Sequence, residues 1–260
     1  MRILITNDDG IDAPGLEVMH EIAMALAGHD GEVWTVAPAF EQSGVGHCIS
    51  YTHPLMISAV GKRRFAAQGS PADCVLAAFH EVMTDALPDI VLSGVNRGNN
   101  SAENAMYSGT IGAAMEAALQ GVPAIALSQF YGPRNVNLDD KFETARAHGL
   151  NCVRTILDKA PWDKTDYGMF YNVNFPPVPA TDVKGMRAVR QGYRGDGRFG
   201  MKPADAPSGR TFMWITGANQ QDPSGDDTDA TVNLDGYISV TPMRADLTAH
   251  DALKALKVIE

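Results

Sequence analysis

Residues 2–16 read RILITNDDGIDAPGL, and the reading of this stretch decides the fold. RILIT is a short, β-rich apolar run of the kind that lies in a strand. A polar turn, Asn7-Asp8-Asp9-Gly10, follows it. GLEVMHEIAMALA then repeats its apolar residues at helical spacing. The same alternation recurs outward along the chain: EVWTVA at 32–37, DIVLSG at 89–94, GAAMEAALQG at 112–121 and PAIALS at 123–128. Strand-like runs alternating with amphipathic helical ones predict a parallel sheet covered on both faces. Ser70-Pro71-Ala72-Asp73 has a capping hydroxyl, a proline suited to the first turn and an acid that favours the dipole, so a helix is expected over 71–83.

Further on, residues 139–160 predict another helix, and YNVNF at 171–175 a strand that stops against Pro176-Pro177. Residues 185–236 are rich in Gly, Asp, Arg and Pro and hold short β-like pieces such as TFMWIT at 211–216, which reads as a loop-and-hairpin region. GYISVTP at 236–242 predicts a strand and residues 249–257 a short helix. With no repeat, low-complexity segment or convincing linker, residues 1–260 are expected to form a single α/β domain.

The composition narrows the function. The chain has 260 residues, 45% hydrophobic and 20% charged, which is ordinary globular material with enough for one sizeable core. A formal charge of −10 without a Lys or Arg run repels a nucleic-acid backbone, so no polymeric nucleic acid is expected as a partner. A small phosphorylated substrate then needs local positive charge from a cation or a helix N-terminus. Cys48, Cys74 and Cys152 are odd in number and widely spaced, fitting neither a disulfide framework nor a zinc site. No secretory pattern precedes the first strand, and no apolar run approaches the roughly 20 residues of a membrane span. A cytoplasmic protein without a membrane role is the expectation.

In an open α/β sheet ligands bind outside the carboxyl ends of the strands, which directs attention to Asp8 and Asp9. Adjacent carboxylates repel unless a cation or hydrogen bonds compensate, and Gly10 allows the backbone to turn both inward. A hard divalent metal fits; the plain alternative is a capping or solvated acidic turn. Carboxylates in place of glycines disfavour dinucleotide binding, and contiguous rather than alternating acids disfavour the usual aspartyl-phosphate pattern. Tyr107-Ser108-Gly109-Thr110 opens the helix at GAAMEAALQG, where amides and a positive dipole end can cradle a phosphate, although Ser and Thr at helix starts are commonly plain caps.

Together these segments resemble the SurE (survival protein E) family of 5'/3'-nucleotidases. The resemblance is carried by ITNDDGIDAPGL at 5–16, VAPAFEQSGVGHCIS at 36–50, GSPADCV at 69–75, PDIVLSGVNRGNN at 88–100, YSGTIGAAMEAALQGVPAIALS at 107–128 and DTDATVNLDGYISVTPM at 227–243. It implies a three-layer, Rossmann-like, mostly parallel sheet with a C-terminal β-hairpin arm. It implies metal ligation by Asp8, Asp9, Ser43 and Asn96, with catalysis at Asp8, Asp9 and Asn96. It implies a phosphate site at Asn100, Ser108, Gly109 and Thr110. Two carboxylates plus neutral oxygens suit one Mg or Mn ion rather than Zn. The sequence departs from the family pattern at Gln42, where arginine is frequent, at Asn104, where an acid is, and at Ala230, where an aromatic residue is. Asp227 and Asp229 match a family motif, and their own chemistry suits shaping a turn.

The expected activity is metal-dependent hydrolysis of nucleoside monophosphates, with Asp8 either orienting water or acting as nucleophile; the competing reading is a non-catalytic nucleotide-binding sensor. No histidine is assigned a role. Phe199, Phe212, Trp214 and Ile215 lie in strand-like pieces of a segment too polar to form a core, so the 185–236 arm is expected to bury them in a homodimer or tetramer.

Overall fold

The computed structural model describes residues 1–162, 166–195, 199–205, 207, 209–217 and 219–260. Along the chain lie β1 (Arg2–Thr6), α1 (Pro14–Ala27), β2 (Glu32–Pro38), β3 (Ile57–Gly61), β4 (Arg64–Ala67), α2 (Pro71–Ala77), β5 (Ile90–Arg97) and α3 (Gly109–Leu119). They are followed by β6 (Ala124–Gln129), α4 (Glu143–Lys159), β7 (Phe170–Phe175), β8 (Met186–Ala188), β9 (Gly200–Ala204), β10 (Phe212–Thr216), α5 (Asp229–Leu234), β11 (Ile238–Met243) and α6 (His250–Leu256).

Successive residues of β1 face opposite ways, and both ways are apolar. Ile3 and Ile5 enter one hydrophobic cluster with Leu16, Met19 and Ile22 of α1 and Val153 and Ile156 of α4. Leu4 enters a second with Cys74 and Val75 of α2 and Ile111 and Ala114 of α3. Two separate cores on the two faces of one sheet make the three-layer architecture expected from the sequence. The main sheet runs β3-β4-β2-β1-β5-β6-β7-β11-β8, with β9 and β10 forming a separate antiparallel hairpin. β4, β2, β1, β5, β6 and β7 are parallel. The sheet turns antiparallel where β3 meets β4 and where β11 meets β7.

Local signals worked where the side chains close on themselves. Ser70 Oγ accepts the Asp73 N–H at 3.1 Å while Asp73 Oδ2 accepts the Ser70 N–H at 2.9 Å, a reciprocal cap in which the serine alone is worth about 1 kcal/mol. A π-helical turn, Ala78–Val82, extends α2 almost as far as expected. The helix expected from 139 begins instead at Glu143. Asp140 accepts the Phe142 N–H at 2.9 Å and Arg146 Nε at 2.9 Å, which holds 139–142 as a turn. The expected arm is represented by the β9–β10 hairpin, while its residues 196–198, 206, 208 and 218 lie outside the described residues. Phe212, Trp214 and Ile215 are 54%, 70% and 69% exposed, so the single chain leaves these hairpin side chains largely uncovered.

A candidate active site where the sheet changes direction

β1 lies between β2 and β5. The connection from β1 runs through α1 on one face to β2, whereas β5 leads through α3 on the other face to β6, so the loops leaving β1 and β5 diverge and open a crevice. Asn7–Gly10 and Asn96–Asn100 are these two loops. Asn7 braces the first: its Nδ2 donates to Gly10 O at 2.8 Å and its Oδ1 accepts the Gly10 N–H at 3.2 Å, while Gly10 takes φ 105°, a conformation suited to glycine.

Asp8 is 4% exposed and points at the start of α3. Thr110 Oγ1 donates to Asp8 Oδ1 at 2.7 Å and the Thr110 N–H to Oδ2 at 3.3 Å. The first turn of α3 therefore already holds an anion, the Asp8 carboxylate itself. Burial nevertheless pushes the Asp8 pKa up to about 6, against the pull of Thr110 and with help from the Asp9 charge. Gly109 permits this approach, since a Cβ there would lie 2.9 Å from Asp8 Cβ. Asp9 has a different partner: its Oδ2 accepts the Arg97 N–H at 2.9 Å, and burial, as the largest cause, raises its pKa as well.

Asp8, Ser43, Asn96, Asn100 and Ser108 share one cavity of about 670 Å³. Asp9 lines a neighbouring cavity of about 430 Å³ with Arg97 and Tyr131. Thr110 is fully buried behind Asp8, so its hydroxyl, expected at a phosphate, is engaged by the carboxylate instead. Asn96 Nδ2 donates to Gly98 O at 2.9 Å, which leaves its carbonyl oxygen as the end with lone pairs to offer. Ser43 is exposed and its hydroxyl donates to Glu41 at 2.8 Å. Ser108 Oγ caps α3 by accepting the Ile111 N–H at 3.1 Å. Asn100 is fixed by its N–H to Asn174 Oδ1 at 2.7 Å and by Nδ2 to Ser128 Oγ at 2.8 Å. Among the described residues no group of three or more His, Cys, Asp or Glu side chains gathers to hold a metal, so any cation here relies on mixed carboxylate and neutral oxygens.

A supporting network behind the cavity was not legible in the sequence. Arg194 is 4% exposed; its guanidinium donates to Ser101 O at 3.3 Å, Ser101 Oγ at 3.0 Å, Glu103 Oε1 at 3.0 Å and Asp222 O at 3.2 Å. Burial pushes the Glu103 carboxyl up, but backbone N–H groups and the Arg194 guanidinium outweigh it and hold the carboxyl below its ordinary range. Asp229, expected to shape a turn, is buried and accepts N–H groups from Ala102 at 3.0 Å, Gly192 at 2.9 Å and Ala230 at 2.8 Å. These bonds anchor the 99–104 loop to chain far downstream. His47 pairs with Glu116 at 2.7 Å beneath α3, outside the cavity wall.

Residues 3–197 match the model of the family described as Survival protein SurE. A protein of Ruegeria pomeroyi named 5'-nucleotidase SurE is 68% identical over 257 residues, 99% of each chain. One of the same name from Jannaschia sp. is 69% identical over 260 residues, covering 99% of this chain and 98% of the relative. The crystal structure of the SurE protein from Aquifex aeolicus superposes with a TM-score of 0.82 at 33% identity, covering 100% of this chain and 99% of that one. The family match over most of the chain, the full-length relatives and the shared fold lead to one conclusion: the chain belongs to the SurE family.

Proposed function

We propose that the chain is a 5'/3'-nucleotidase that hydrolyses nucleoside monophosphates to nucleoside and phosphate with the help of one divalent cation, Mg or Mn. The observation that carries this reading is the meeting of Asp8, Ser43, Asn96, Asn100 and Ser108 around one cavity at the sheet's change of direction. It is supported by relatives at 68% and 69% identity that bear the name 5'-nucleotidase. The donor set fits a hard cation. Burial pushes the Asp8 pKa up to about 6 and raises Asp9 too, in spite of the Arg97 charge near Asp9, and a bound cation would favour the ionised form of both. Asp8, Asp9, Ser43 and Asn96 would hold the ion through oxygen atoms alone. When bound, such an ion neutralises phosphate charge and activates the attacking oxygen.

The protein's own groups do the positioning. Asp8 would either align the attacking water or attack phosphorus itself, and the Thr110 hydroxyl, donating to Asp8 Oδ1 at 2.7 Å, fixes its direction. Asn100 and Ser108, with the backbone at Gly109, receive the phosphate oxygens. Free thiols at Cys48, Cys74 and Cys152 suit a reducing cytoplasm. Among the described residues no helix is long and apolar enough to cross a membrane. Phe212 and Trp214, exposed on the hairpin and not part of the cavity lining, support one α/β unit per chain joined through its arm into a homodimer or tetramer.

The test is turnover of AMP by purified protein with added Mn or Mg. Phosphate release that stops on chelation and returns with metal is expected. Turnover indifferent to chelation removes the cation from the reading, and tight AMP binding without turnover replaces the enzyme with a sensor.

A further inference from the structure

The candidate cavity has two kinds of wall. One holds the polar groups described above; the other is formed by Tyr107, Phe199 and Ile215. Tyr107 directly precedes Ser108 at the start of α3, while Phe199 immediately precedes β9 and Ile215 lies within β10, so the second wall joins the site loop to the hairpin. Tyr107 and Phe199 pack edge to face, with ring centroids 4.7 Å apart and planes at 75°. Both stay about half exposed, at 47% and 46%, and Ile215 is 69% exposed. Apolar rings open to a cavity gain stability when a ligand covers them.

The hairpin is held in this position from behind. Asn104 Nδ2 donates to Asn99 Oδ1 at 3.3 Å and also to Gln220 Oε1, which ties the site loop to the segment following β10. Arg194, just before the hairpin, binds Ser101 and Glu103. Among the described residues that line the cavity, the charged ones are Asp8 and Arg97, both on the loops that leave the sheet. A flat, uncharged group tethered to a phosphate suits such a surface.

We infer that Phe199 and Tyr107 form the wall on which the purine or pyrimidine ring of the substrate stacks, so that the hairpin arm sets the preference for nucleotides over other phosphomonoesters. This rests on the nucleotidase reading above and adds to it the residues that recognise the base. Stacking on an aromatic side chain tolerates every base, because each has a π face, and consequently predicts weak discrimination among bases.

The experiment compares AMP with ribose 5-phosphate, which lacks the base, in wild type, Phe199→Ala and Phe199→Tyr. Calorimetric binding of adenosine without added metal is measured alongside, with light scattering to record assembly. Phe199→Ala is expected to lower kcat/KM for AMP by roughly 5- to 100-fold more than for ribose 5-phosphate, to weaken adenosine by a similar factor, and Phe199→Tyr to restore both. An equal fall for both substrates, an unchanged AMP value, or a change in assembly alone overturns the inference. If wild type turns over neither phosphoester, the nucleotidase reading fails, and adenosine still decides the wall. Binding lost in Phe199→Ala upholds it, and absence of adenosine binding to wild type overturns it.

Discussion

Replacing Arg194 by methionine keeps an unbranched apolar stem but removes a guanidinium whose side chain is 2% exposed. Four donations disappear, to Ser101 O, Ser101 Oγ, Glu103 and Asp222 O, while the Arg194 N–H remains available to Glu103 Oε2 at 3.0 Å. Removing one partner of a buried ion pair costs about 3–5 kcal/mol. The Glu103 side chain is 15% exposed and keeps one backbone donor, which places the expected loss near the lower end, about 3 kcal/mol. For a chain of this size each kcal/mol corresponds to about 2–4 °C, so calorimetry at fixed protein concentration should show a Tm lower by roughly 6–12 °C. The pH dependence has a defined sign. Because Glu103 is held below its ordinary value of 4.5, its contribution is full above that range and is lost as pH falls through the depressed folded value. The difference between wild type and variant should accordingly shrink in acid. KM for AMP should rise as the 99–104 loop loosens. A loss under about 1 kcal/mol with unchanged KM would refute the argument that this network holds the loop.

Asp9→Asn removes one charge from the proposed cation site at constant size and is expected to lower activity at least roughly a hundredfold with the fold intact; near-normal turnover with an unchanged metal requirement would remove Asp9 from that site. Thr110→Val deletes the donor to Asp8 Oδ1 and should cost about 1–3 kcal/mol, read as loss of stability at neutral pH together with reduced kcat. Unchanged kcat would show that Asp8 needs no such orientation. Asp8 is raised from 3.8 to about 6, so metal-free protein binds an extra proton in the folded state, and the contribution of this group to stability falls as pH rises between those values. The Tm increase on adding Mg or Mn should be small near pH 5 and grow toward pH 7, and Asp8→Asn should abolish that growth.

Residues 2–16 foretold the first strand, turn and helix because each signal is local: an apolar run, a glycine turn, a helical period. The capping pair Ser70 and Asp73 was legible for the same reason. The rhythm of strands and helices pointed to a parallel sheet, but the reversals at β3–β4 and β11–β7 arise from chain connections that no strand's own residues encode. At the site, the acidic pair and the α3 start were legible as a place. That Asp8 turns toward Thr110 while Asp9 turns toward Arg97 was not, since each partner lies 102 or 88 residues away. Arg194 and Glu103 are separated by 91 residues and Ala102 and Asp229 by 127, so each reads locally as an ordinary loop residue.

The Asn7 brace also bears on how the protein ages chemically. In an Asp-Gly peptide the glycine nitrogen can attack the aspartyl carboxyl carbon, lose water and form a succinimide, which reopens largely as isoaspartate. Here Gly10 N–H is held by Asn7 Oδ1 and Asp9 Oδ2 by the Arg97 amide, which keeps nucleophile and electrophile in separate hydrogen bonds. The folded loop is thereby protected at a dipeptide that is reactive in an open chain. Each excursion to the unfolded state releases both groups at once. Prolonged warming should then convert Asp9 in proportion to time spent unfolded, and the refolded protein would carry its carboxylate on a lengthened backbone with the side chain shortened. Peptide mapping of heated samples would find the isomer at Asp9-Gly10, so part of the activity lost on storage would not return on cooling.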